Sequence, residues 1–127
     1  MINPQSEFPL LERYKARFKG ITGHTIFAYS PDIYTDYKLT SDLLIHENVH
    51  LKQQEEMGLD NWVEKFLNDD EFRLKVELEA YRKQLQSILD SGKRHKMTLI
   101  CAEHLSSDMY GNIISLSEAF DALVKHE

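Results

Sequence analysis

His46-Glu47-Asn48-Val49-His50, set within Leu43–Met57, is the stretch from which the rest of the chain is read. Thr40-Ser41-Asp42 just before it offers helix N-caps, and Gly58 after Met57 is a natural stop. On a helix, residues four apart share one face and sit about 6 Å apart along the axis. Two imidazoles at that offset can converge on one ion, with Zn–N bonds of about 2.0–2.1 Å. Glu47 lies beside them, placed to hydrogen-bond a water on that ion and take its proton. Leu43, Leu44, Ile45, Val49 and Leu51 surround the pattern, so the histidines stand among apolar residues rather than in a charge run.

Two histidines leave a tetrahedral ion short of the three protein ligands that a catalytic site uses. One arrangement, H-E-x-x-H-x-x-G-x-x-H, is excluded, because Gln53 and Glu56 hold its last two fixed positions. The other takes a glutamate from a later helix. A helix expected over Asp69–Ser91, stopped by Gly92, supplies Glu71, Glu77 and Glu79. Leu74, Leu78, Tyr81, Leu85 and Ile88 recur at helical spacing and mark its buried face. Glu77 falls within that stripe, whereas Glu79 points about 200° away, beside Lys83 and Gln86. A buried carboxylate is costly unless paired or metal-bound. Glu77 is therefore the preferred third ligand and Glu79 the alternative, and the competing reading is a Glu77–Arg73 ion pair.

His46-Glu47-Asn48-Val49-His50 followed by Glu77-Leu78-Glu79-Ala80-Tyr81 resembles the layout of the gluzincin metallopeptidases, whose second motif is often E-x-x-A-D. The resemblance covers about 39–89. It also extends to compact minigluzincin-like proteins and to small H-E-x-x-H proteins of bacterial and phage genomes. It implies one zinc ion held by His46, His50 and Glu77, with Glu47 as general base, and hydrolysis of a peptide or protein substrate. The aspartate that orients a zinc-bound histidine in that pattern is Tyr81 here. It further implies an edge strand that binds substrate backbone, for which Thr25–Tyr29 is the candidate. An oxyanion donor is also needed, and Tyr81, Tyr110, His95, His104 and Arg82 are available by type.

The rest of the chain sets bounds. Its 127 residues fit one domain, with an irregular to β region over 1–38 and a helical region over 39–127. All three prolines lie in the first quarter. Leu10–Lys19 is expected to be a short helix, His24–Tyr29 and Ile33–Lys38 short strands, and Asp60–Asn68 and Met97–Ser107 helices. Ser115-Leu116-Ser117-Glu118 reads as a capping box opening a last helix to about Lys125. The fold class expected is α+β and mainly helical, a small N-terminal β segment packed on a helical bundle. A net charge of −6 argues against nucleic-acid binding, which needs a basic face. One cysteine, Cys101, excludes an internal disulfide and a Cys-rich zinc module, and reads as a core thiol. No stretch approaches the ~20 apolar residues of a membrane span, and no secretory leader is visible, so a cytoplasmic protein is expected. His24, His95 and His126 read as surface or strand-end histidines. The rival to a peptidase is a zinc-stabilised protein of the same fold that binds or assembles without turnover, and a third reading is a metal-free helical interaction module. Oligomeric state is open.

Overall fold

The computed structural model describes residues 1–125, so His126 lies outside the described residues. They form six α-helices and a small mixed three-stranded sheet near the N-terminus, the mainly helical arrangement expected. The helices are α1 (Leu11–Arg17), α2 (Ser41–Met57), α3 (Leu59–Asn68), α4 (Asp70–Gln86), α5 (Ser91–Leu105) and α6 (Leu116–Val124). The strands are β1 (Ile2–Asn3), β2 (Phe27–Tyr29) and β3 (Asp32–Tyr34), in the order β1-β3-β2.

The strands are shorter than expected, for local reasons. Gln5 Nε2 donates to both Thr22 O and Thr25 O at 2.8 Å, and Thr22 N donates to Thr25 Oγ1 at 3.0 Å, so 22–25 is folded into a turn. Thr35 Oγ1 accepts from Tyr37 N at 2.9 Å and ends β3. β3 pairs in parallel with β1 and antiparallel with β2, with Ala28 opposite Ile33. Ile33 N–H donates to Met1 O, so the polar groups of Ile33 face β1. Those of Ala28 opposite it then face away from the sheet, along the outer edge of β2.

The helix expected over Asp69–Ser91 ends early, at Gln86. Asp69 caps α4 by accepting from Phe72 N at 3.0 Å. α4 ends at Gln86, where Ser87 N and Ser87 Oγ both donate to Gln84 O and tighten the last turn. Asp90 then caps a new helix, accepting from Lys93 N at 2.9 Å. Gly92 therefore sits in the first turn of α5 rather than terminating α4, and α5 begins at Ser91, well before Met97. Gly58, with φ of +91°, makes the turn between α2 and α3, a conformation in which a side chain would be strained.

Two apolar cores flank the centre. One joins Phe8, Tyr14, Phe18, Phe27, Trp62, Phe66 and Val76. The other joins Tyr81, Leu85, Cys101, Ala102, Leu105, Ala119 and Leu123. α4 contributes to both, and α2 packs most extensively against α4. The buried residues of α2 are His46, Glu47, His50 and Gln54, all polar. Hydrophobic burial does not explain such a face, so it needs polar partners.

Candidate metal centre

α2 brings His46 and His50 to the α2–α4 contact, and α4 brings Glu77 to meet them. All three side chains are buried, and one ligand atom from each lies within 4.8 Å of the others. His50 Nε2 is 2.6 Å from Glu77 Oε1, and His46 Nε2 is 3.3 Å from the same oxygen. Glu47 is buried beside them, its Oε2 4.0 Å from His46 Nε2. Of the other glutamates, Glu71 and Glu79 are exposed and take no part. The competing Glu77–Arg73 pair does not form. Arg73 is fully buried and donates instead to Phe66 O at 2.7 Å, to Tyr110 O at 3.1 Å and to Asp70.

The surroundings prepare these atoms. Gln53 Nε2 donates to Val76 O at 3.2 Å, which fixes its oxygen as the atom facing Trp62 and His50. That oxygen accepts from Trp62 Nε1 at 3.2 Å and lies 2.9 Å from His50 Nδ1. Because an amide oxygen only accepts, Nδ1 of His50 must carry a proton. In the neutral ring, Nε2 is then the lone-pair atom, and it is the atom facing His46 and Glu77. Tyr110, on a 3₁₀ turn over Asp108–Tyr110, donates its hydroxyl to Glu77 Oε2. Its single proton is used there. Tyr81 packs its ring against His46, with centroids 4.5 Å apart, but does not hydrogen-bond it. His46 Nδ1 is buried without a partner among the described residues, so the place of the missing aspartate is not filled.

Electrostatics follow from this packing. Burial opposes the His50 cation, but the facing Glu77 carboxylate outweighs it and raises the pKa to about 9. Burial likewise opposes the Glu77 anion, yet the histidines hold its carboxyl well below the usual range. Without a metal, His50 is thus a cation donating from both nitrogens, and a divalent ion would take the place of its Nε2 proton. Burial pushes Glu47 above the ordinary carboxylate value, against the pull of His46 and His50. Burial also raises the Tyr81 and Tyr110 hydroxyls, keeping both neutral donors.

The donor set of two imidazole nitrogens and one carboxylate oxygen, buried and already convergent, fits a divalent ion of the zinc type. A cavity of about 660 Å³ opens onto it, and Glu47, Tyr81, Tyr110 and His104 all line that cavity. Of the other proposed oxyanion donors, Arg82 is engaged with Ala122 O at 3.2 Å, and His95 packs on Phe120. Neither the Gln53 contact with His50 Nδ1 nor the Tyr110–Glu77 bond was read from the sequence. Gln53 lies three residues after His50 on the same face, a signal that was present, whereas no spacing links Tyr110 to Glu77. Compared with protein families, curated proteins and solved structures, the chain matches none. Among the described residues, no helix is long and apolar enough to cross a membrane.

Proposed function

We propose that this protein is a zinc-dependent hydrolase of a peptide or related amide bond. The observation that carries the reading is the convergence of His46, His50 and Glu77 in a buried site whose tautomer and carboxylate orientation are already set by Gln53 and Tyr110. Zinc, when bound, supplies Lewis acidity: it polarises a carbonyl and lowers the pKa of a coordinated water from 15.7 to about 7. His46 and His50 would hold the ion through Nε2 and Glu77 through Oε1, the atoms that converge. Glu47 is the general base: it accepts the proton of the attacking water and returns it to the leaving nitrogen. Burial suits it to that task, because a carboxylate with a raised pKa returns the proton more readily near neutrality. Tyr81 is a hydroxyl donor in the cavity wall of the right type for the developing oxyanion, whereas the Tyr110 proton is committed to Glu77.

The test is elemental analysis of untagged protein with a peptide-cleavage screen. Wild type, Glu79→Ala and Glu47→Gln should each carry about one zinc per chain, and Glu77→Ala should lose it. Hydrolysis should fall by about 10²–10⁴ in Glu47→Gln, which removes the base and leaves the ligands. Zinc bound without hydrolysis would favour the structural role for the ion. No zinc in wild type, even after the metal is added, would sink both.

A further inference from the structure

The edge of the sheet nearest the site is already occupied by the protein itself. Gln54, fully buried on α2, donates from Nε2 to Ala28 O at 2.9 Å and accepts from Ser30 N at 2.7 Å. Those are the outward-facing carbonyl and amide of β2 that an added strand would use. The Gln54 carboxamide therefore stands in for the N–H and C=O that one residue of a fourth strand would turn toward β2. An extended peptide laid along Ala28–Ser30 would have to displace a buried amide and leave its polar groups unsatisfied.

What remains open is the cavity. At about 660 Å³ it lies within the range of small-molecule sites. Phe18, Phe27, Trp62 and Phe66 of the first core line it, as do Met97 and Cys101 of the second. Its lining, among the described residues, includes Asp42, Glu47 and Glu77 but no Lys or Arg. A substrate carboxylate would find no lysine or arginine to pair with there, His50 Nε2 is already engaged by Glu77 at 2.6 Å, and the carboxylates would repel a like charge.

We propose that the site takes compact amides that are uncharged at the carboxyl end, with a bulky apolar group seated in the aromatic cavity, and that it does not hold extended peptides by strand addition to β2. This rests on the hydrolase reading for its chemistry, but the binding itself is a property of the cavity. Trp62 is the one tryptophan of the chain and lines the cavity, so its fluorescence reports occupancy. Acetyl-phenylalanyl-leucine amide, the same compound as its free acid, and a longer doubly blocked peptide with that dipeptide at its centre are titrated into zinc-loaded and zinc-stripped protein. The amide should change Trp62 emission saturably, the acid should bind about tenfold or more weakly to stripped protein, and the longer peptide should bind no tighter than the amide. Equal binding of acid and amide by stripped protein, about tenfold tighter binding of the longer peptide, or no response to the amide in either form would overturn the proposal. Metal content is measured on the same samples. Absent zinc with amide binding retained counts against the hydrolase reading and leaves the cavity assignment standing, whereas bound zinc with no amide response counts against the cavity assignment.

Discussion

Glu77 has two carboxylate oxygens, and its neighbours divide them. Oε1 faces both histidines, while Oε2 accepts from Tyr110. A carboxylate held in this way is restricted to offering one oxygen to an ion, and the outer partner fixes its orientation. Removing that hydroxyl in Tyr110→Phe keeps the ring but frees the carboxylate to rotate. The expected outcome is a zinc dissociation constant about 10–100-fold higher, measured by competition with a chromogenic chelator. An unchanged constant would reduce Tyr110 to a packing residue. Glu77 itself was legible in the sequence, because helical periodicity and the E-x-x-A spacing both selected it over Glu79. Tyr110 was visible only as a residue of suitable type. It reaches Glu77 across 33 residues through a turn whose carbonyl Arg73 holds, and local spacing carries no information about such a contact.

Among the elements, legibility followed how much of each was decided locally. α2 and α3 came out within a residue or so, because Gly58 punctuates them and α3 has a strong apolar face of Trp62, Val63, Phe66 and Leu67. The α4–α5 boundary was missed because Gly92 was read as a stop, while the Asp90 side chain, a cap, decided the break. The strands were overextended because Gln5, whose side chain holds the 22–25 turn, lies far away in sequence. β1, only two residues long, has no alternation to read. α6 was specified by its own opening. Ser115 Oγ accepts from Glu118 N at 3.1 Å, and Glu118 Oε1 accepts from Ser115 N at 3.3 Å, a complete capping box. This cap holds in place a helix that supplies Ala119 and Leu123 to the second core. Ser115→Ala should therefore cost about 1 kcal/mol of stability. In urea unfolding the midpoint should fall with an unchanged slope, since the change alters a terminus and not the surface exposed on unfolding. A loss well under half of that would mean that packing alone holds α6 in place.

For the molecule as a whole, the contact between α2 and α4 is the seam between two apolar cores, and its buried contents are polar. Without metal the seam is closed by the His50–Glu77 pair, so the stability of the metal-free protein must depend on pH. His50 titrates near 6.5 when unfolded and at about 9 when folded. Its contribution is thus fully present below about pH 6.5 and is lost as pH rises through about 9. Glu77, held low in the folded state, contributes above about pH 4.5, its unfolded value, and loses that contribution as pH falls further. The two shifts describe one interaction and are counted once. A rise from about 6.5 to about 9 corresponds to a loss on the order of 3 kcal/mol between pH 6.5 and 9.5. A divalent ion changes this, because it needs a deprotonated His50 and so binds more tightly as pH rises over the same interval. Free zinc at about 1,000 times its dissociation constant would add about 4 kcal/mol. Denaturation of chelator-stripped protein should therefore show stability falling from pH 6.5 to 9.5, while zinc-loaded protein should hold level or rise. Parallel curves with and without zinc would mean that His46, His50 and Glu77 do not share an ion.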